Sequence, residues 1–124
     1  FGTSLENTAR VEQAGRAGRA TVTQGLLGTA TGNTARITQA DGGTLNRASI
    51  TQGLLGNATG NTARIEQENT RNTASITQGF GGLGVSGKAT VEQHGVDNAA
   101  DIGQGVGGTS VASTAVIRQS GTSN

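Results

Sequence analysis

Side chains that carry covalent or metal chemistry are scarce in this chain. Its 124 residues include one His and no Cys, Met, Trp or Tyr. Without Cys there is no thiol nucleophile, no thiolate zinc site and no disulfide. His94 stands apart from any carboxylate cluster and reads as a surface residue rather than a metal ligand. No Ser is paired with a base and an orienting group, so acyl transfer lacks its parts. Gly82–Gly87 spells G-x-G-x-x-G, but a strand pattern follows it, and the dinucleotide fingerprint requires a helix N-terminus. Gly81–Gly84 hints at a calcium-binding nonapeptide, yet Ser86 stands where Asp is required and no second copy exists. These absences predict a protein that is not an enzyme and takes no cofactor or metal. The groups that do recur at regular spacing are primary amides: Gln13, Gln24, Gln39, Gln52, Gln67, Gln78, Gln93, Gln104 and Gln119. An amide both donates and accepts, so identical amides about 4.8 Å apart can hydrogen-bond to one another as a ladder.

The unit that carries these amides is seven residues long, Asn-x-Ala-x-Ile/Val-x-Gln, and it occurs nine times, at 7–13, 18–24, 33–39, 46–52, 61–67, 72–78, 87–93, 98–104 and 113–119, with only the first position drifting, to Gly18, Gly87 and Ser113. Alternation with period two reads as strand, about 23 Å long at ~3.3 Å per residue. Positions one, three, five and seven share the uniform face, which is expected to point inward. It holds Asn7, Asn33, Asn46, Asn61, Asn72 and Asn98 at the first position. The fifth position holds Val11, Val22, Ile37, Ile50, Ile65, Ile76, Val91, Ile102 and Ile117. The other face is variable and polar, as a solvated face should be. On it Arg10, Arg36 and Arg64 should stack, with Glu12 and Glu66 offsetting part of their repulsion.

The linkers between units give the architecture. Short linkers, four residues long and once six (ADGGTL), alternate with linkers of eight. Two strands per coil follow, with odd units in one sheet and even units in the opposite one. The expected fold is all-β: a two-sheet parallel β-solenoid of nine strands in about four and a half coils, forming one domain over residues 1–124. The wide arcs align without gaps at 25–32, 53–60, 79–86 and 105–112, so Leu26, Leu54, Phe80 and Val106 should form an apolar column along the wide edge. Phe1-Gly2 looks like the start of a fifth such arc, and Asn124 sits where a tenth strand would begin.

Composition sets the terms of stability. Large apolar residues (Leu, Ile, Val, Phe) number 23 of 124, too few for an ordinary core. Nine Lys and Arg nearly cancel eight Asp and Glu, so neither charge-driven disorder nor nucleic-acid binding is indicated. No apolar run approaches the ~20 residues of a membrane span. The chain opens on Phe1 rather than Met, which suggests a processed product or a fragment. A single coil buries too little to offset its ordering entropy, so stacking must supply the stability. The end units keep the full inward pattern, and no Pro interrupts any edge. Open, matching ends predict head-to-tail growth into a cross-β, amyloid-like homopolymer. The contacts are expected from Asn7, Ala9, Val11 and Gln13 on one copy and Asn98, Ile102, Gln104, Ala115, Ile117 and Gln119 on its neighbour. Nine strands leave the even sheet one short, a vacancy to be met by a half-turn of the next copy or by a terminal tail.

Gln93-His94-Gly95-Val96-Asp97-Asn98-Ala99-Ala100, running on to Gln104, resembles the Gln-x-Gly-x-x-Asn-x-Ala-x-x-x-Gln repeat of the curli subunits, the secreted bacterial functional amyloids. The Asn-x-Ala-x-x-x-Gln half recurs from Asn7 to Gln119. The resemblance implies an extracellular, cell-surface fibre of the biofilm matrix with a role in adhesion. It also implies a surface nucleator and an outer-membrane export channel as partners. The eight-residue arcs depart from the family pattern, where both arcs are short, and Asn opens most strands where the family alternates with Ser.

A second reading comes from the outward face of the even strands. Thr21/Thr23, Ser49/Thr51 and Ser75/Thr77 form a Ser/Thr-x-Thr array resembling the ice-binding face of monomeric β-solenoid antifreeze proteins. Arg19 and Arg47 stand on the same face, and Asp101 and Gly103 break the array.

Overall fold

The computed structural model describes residues 2–40 and 42–124. Each coil is a set of strands separated by sharp corners. The first coil holds β1 (Thr3–Leu5), β2 (Thr8–Gln13) and β3 (Arg19–Gln24), and the second β4 (Thr29–Thr31), β5 (Thr34–Gln39) and β6 (Arg47–Gln52). The third holds β7 (Asn57–Thr59), β8 (Thr62–Thr70) and β9 (Thr73–Gln78), and the fourth β10 (Leu83–Val85), β11 (Lys88–Val96) and β12 (Ala99–Gln104). A fifth coil contributes β13 (Thr109–Val111) and β14 (Thr114–Thr122). Among the described residues there is no helix, and so none long and apolar enough to cross a membrane.

All pairing is parallel and in register. Odd units form the sheet β2-β5-β8-β11-β14 and even units the sheet β3-β6-β9-β12. Gln39 sits beside Gln67, Ile37 beside Ile65 and Ala35 beside Ala63, as the repeat requires. Ala35, Ile37, Ala63, Ile65, Ala89 and Val91 face Ala48, Ile50, Ala74, Ile76 and Ile102 across a buried core.

The two-sheet section needs correction. Every wide arc contains a three-residue strand, and these form a third parallel sheet, β1-β4-β7-β10-β13. The section is therefore three-sided, with fourteen strands among the described residues and close to five turns rather than four and a half. Each arc strand turns only its middle residue inward. Ala30, Ala58 and Gly84 are buried there, with Ser4 and Ser110 at the two ends of the stack. An eight-residue connection spans a corner, one short strand and a second corner, and it closes on the interior with side chains small enough to leave room for the core.

Strand ends also differ from the seven-residue units. The first position of each unit is a corner and not a strand residue, while β8, β11 and β14 run on through the short arc. Thus His94 pairs with Glu68 and Val96 with Thr70. In the first coil, Thr3 pairs with Thr29 and Leu5 with Thr31. Gly2 therefore occupies the place of Gly28, the fourth of eight arc residues, rather than the start of an arc. Phe1, and Asp41 of the six-residue arc, lie outside the described residues.

Several glycines are fixed by this stacking. A Cβ on Gly56 would stand 2.3 Å from the Gly82 carbonyl oxygen and 2.4 Å from that of Gly79. Both obstacles are backbone of the next coil and cannot rotate away.

Candidate assembly site

Eight of the nine glutamines predicted to point inward, all but the exposed Gln13, bond to one another along the axis. In the even sheet Gln24 Nε2 donates to Gln52 Oε1, Gln52 to Gln78 and Gln78 to Gln104, each at 2.8 Å. In the odd sheet Gln39 donates to Gln67 at 3.0 Å, Gln67 to Gln93 at 2.9 Å and Gln93 to Gln119 at 2.8 Å. The second amide proton reaches across the core. Gln67 Nε2 also donates to the Arg47 carbonyl at 2.9 Å, and Gln93 to that of Thr73 at 3.0 Å. Each Gln so ties its own ladder to the first residue of a facing strand. A buried amide left without such partners would cost about 1–3 kcal/mol.

The Asn column works differently from the Gln column. Asn33 Oδ1 accepts the backbone N–H of Asn61, and Asn33 Nδ2 donates to the Ala58 carbonyl, both at 2.8 Å. Asn61 repeats the pattern on Gly87 N–H and the Gly84 carbonyl. On the other corner Asn46, Asn72 and Asn98 accept from the N–H groups of Asn72, Asn98 and Asn124. Each Asn therefore bonds two backbone groups of the coil above: an N–H at the corner, where strand pairing lapses, and a carbonyl of the strand that leads into that corner.

The outer faces carry the charge. Arg10, Arg36 and Arg64 stack as expected. Glu12 binds Arg36 at 2.9 Å and also Arg10, while Glu66 pairs with Arg64. Hydrogen bonds from Arg36 and then Arg10 hold the Glu12 carboxyl below its usual range. Arg71 does the same to Asp97 through a two-pronged contact at 2.6 and 2.7 Å. His94 lies 2.9 Å from Glu68 on the exposed short arc. On the even sheet Thr21, Ser49 and Ser75 line one row, beside Arg19 and Arg47, over an open groove of about 440 Å³. Among the described residues no three His, Cys, Asp or Glu side chains gather where they could hold a metal ion.

Burial separates the ends from the middle. Ile37, Ile50, Ile65, Ile76 and Val91 are fully buried, but Val11 in the first coil is 47 % exposed and Val22 is only half-buried. Ala9 and Gln13 are also exposed. Gln39 Oε1 has no hydrogen-bond partner, so the first rung of the odd ladder, from Gln13 to Gln39, is not made. At the far end Ala115, Ile117 and Gln119 are half-buried. Ile102 and Gln104 are nearly covered, at 5 % and 7 % exposure. Asn98 is engaged within the chain. Asn124 donates from its backbone N–H and its Nδ2 to Asn98 Oδ1, and its carbonyl accepts from Ala99 N–H. The chain thereby occupies the first position of the vacant even-sheet slot.

The predicted apolar column lies on the outside of the molecule. Leu26, Leu54, Phe80 and Val106 occupy equivalent places, linked through Leu55 N–H to Leu26 O, Gly81 N–H to Leu54 O and Gly107 N–H to Phe80 O. Leu26, Phe80 and Val106 are exposed, and Leu54 is half-buried. The arc strands were missed because three residues carry no period to read. The clue was the small residue repeated at their centre, Ala30, Ala58, Gly84 and Ser110. No family model, curated protein or solved structure matches this chain, so its likeness to the curli repeat rests on the residues of the repeat alone.

Proposed function

We propose that the chain is a structural subunit that assembles head-to-tail into an extracellular, curli-like amyloid fibre serving a biofilm matrix and adhesion. The observation that carries this reading is the first coil, whose inward side chains have no cover. Val11 is 47 % exposed where its stacked neighbours Ile37 and Ile65 are 0 % exposed. An uncapped edge with an open apolar interior is a template for another copy of the same edge. Translation along the axis sets β1 over β13 and β2 over β14, like upon like, whereas a half-turn would set the arc sheet over a short corner. The space above β12 beyond Asn124 stays unfilled in that stack and is the place for a further strand. A surface nucleator and an export channel remain the partners that the resemblance implies.

The test is electron microscopy of the purified chain near neutral pH, alone and with sonicated seeds, beside Val11→Lys. Val11 is open to solvent in the isolated subunit, so the Lys variant should fold and give the same circular dichroism. The expected result is seeded, unbranched filaments from the parent chain and none from V11K. A parent chain that stays folded and monomeric would overturn the proposal. Thermal hysteresis in that sample would favour the ice-binding reading, which the aligned Thr21, Ser49 and Ser75 row supports.

A further inference from the structure

We infer that the arc sheet and its leucine ridge form the surface by which two stacks of this chain pair side by side, the occupant being a second copy; this rests on the filament reading above. All seventeen charged residues lie outside the four complete wide arcs, at 25–32, 53–60, 79–86 and 105–112. The other two sheets carry Arg, Glu, Lys and Asp on their outer faces, whereas the arc sheet presents Thr, Leu, Val and Asn. Only Glu6 touches its margin, at the corner of the first coil.

The ridge beside this sheet is not explained by folding. Leu27 and Leu55 stand at φ of 56° and 57°, a left-handed conformation costly for any residue with a Cβ. Gly81 and Gly107 occupy the same place in the next two coils, at φ of 63° and 65°. Glycine meets the backbone requirement there without strain. Leu27 and Leu55 are also 55 % and 56 % exposed, so their side chains gain little from the fold. Two costs at one position, relieved by Gly in the adjacent coils, indicate that the leucines serve contact with something outside the chain.

Charge and area identify what covers them. An uncharged face meets its own copy without repulsion, and both copies carry the same axial repeat. A lipid surface is disfavoured because no Lys or Arg flanks the ridge within the arcs. The face measures roughly 20 Å along the arc and about 24 Å along the axis, from ~3.3 Å per residue and ~4.8 Å per coil. A pair of subunits would bury on the order of 1,000 Å², below the ~1,200 Å² of stable interfaces. Two stacked subunits on each side reach about twice that. Side-by-side pairing should therefore follow polymerisation and not precede it.

The experiment compares the parent chain with Leu27→Gly/Leu55→Gly and, separately, Thr59→Lys, scoring filament width by electron microscopy and monomer size by sedimentation. The Gly pair removes the ridge while relieving the backbone, so folding and filament growth should persist. The expected result is a monomeric subunit, paired or bundled parent filaments, and at least a five-fold drop in the paired fraction for both variants. Parent filaments that stay single, or variants that pair equally well, would overturn this inference while leaving the filament reading intact. Loss of filaments from the parent chain itself would remove both. Parent-specific flotation with phosphatidylcholine vesicles, absent in the Gly pair, would assign the ridge to lipid and overturn pairing.

Discussion

Replacing Gln67 by Glu exchanges one amide of the buried ladder for a carboxyl and tests the amide account directly. Gln67 is fully buried. Its Oε1 accepts from Gln39, while its Nε2 donates to Gln93 Oε1 and to the Arg47 carbonyl. An ionised carboxylate would set a bare oxygen against two acceptors, so the folded variant must hold the introduced carboxyl protonated. With an unfolded pKa near 4.3, protonation at pH 7 costs about 4 kcal/mol, at 1.36 kcal/mol per unit. The neutral acid has one proton for two acceptors, and the orphan adds about 1–3 kcal/mol. The total, on the order of 5–7 kcal/mol, rivals the whole stability of many domains. The folded pKa is raised, so the protonation cost vanishes below the unfolded value and grows as pH rises above it. At pH 4 only the orphan remains. Urea titrations followed by circular dichroism at pH 4 and pH 7 read both quantities, with Thr62→Glu as control on the exposed face of the same coil, beside Lys88. A Q67E midpoint equal to the parent's at pH 7, or a loss of the same size at both pH values, would refute the reasoning.

Two further outcomes follow from the same stacking. Gly56→Ala drives a methyl into the Gly82 and Gly79 carbonyls and should cost more than about 3 kcal/mol, because backbone cannot repack. Gly60→Ala, where the nearest heavy atom is Ser86 Oγ at 3.7 Å, should lose only the ~1 kcal/mol of a left-handed φ; equal melting temperatures for the two would count against the in-register stack. Acidification should act through Glu12 and Asp97, both depressed by arginine partners. A depressed carboxyl contributes stability above its unfolded pKa and loses it as pH falls through the folded one, so melting temperature should hold to about pH 5 and fall below about pH 4. Glu12→Gln should flatten that acid limb, and an unaltered limb in both E12Q and Asp97→Asn would exclude these pairs as its source.

The inward set was legible in the residues themselves. Ala35, Ile37 and Gln39 recur as Ala63, Ile65 and Gln67, and a strand's period of two leaves one face for all three. Asn33 and Asn61 were legible as inward but not as corners. Their partners are the carbonyls of Ala58 and Gly84, more than twenty residues away in the next arc, and nothing near them in sequence marks that pairing. The arc sheet was hidden for a related reason. Thr29–Thr31 and Leu83–Val85 share no residue type at any position, and only stacking makes them equivalent strands.

The order of residues set which of them repeat, hence the register of every long strand, because slipping by one residue would turn each Ile and Gln outward. It also determined that no single coil could stand alone, because each buries too few side chains. Tertiary structure decided the three-sided section and the place of the leucines. Whether an eight-residue connection bulges as a loop or closes as a third sheet depends on pairing with the arc one coil away. That pairing decides which side chains find an interior, and it left Leu26, Leu27 and Leu55 facing outward.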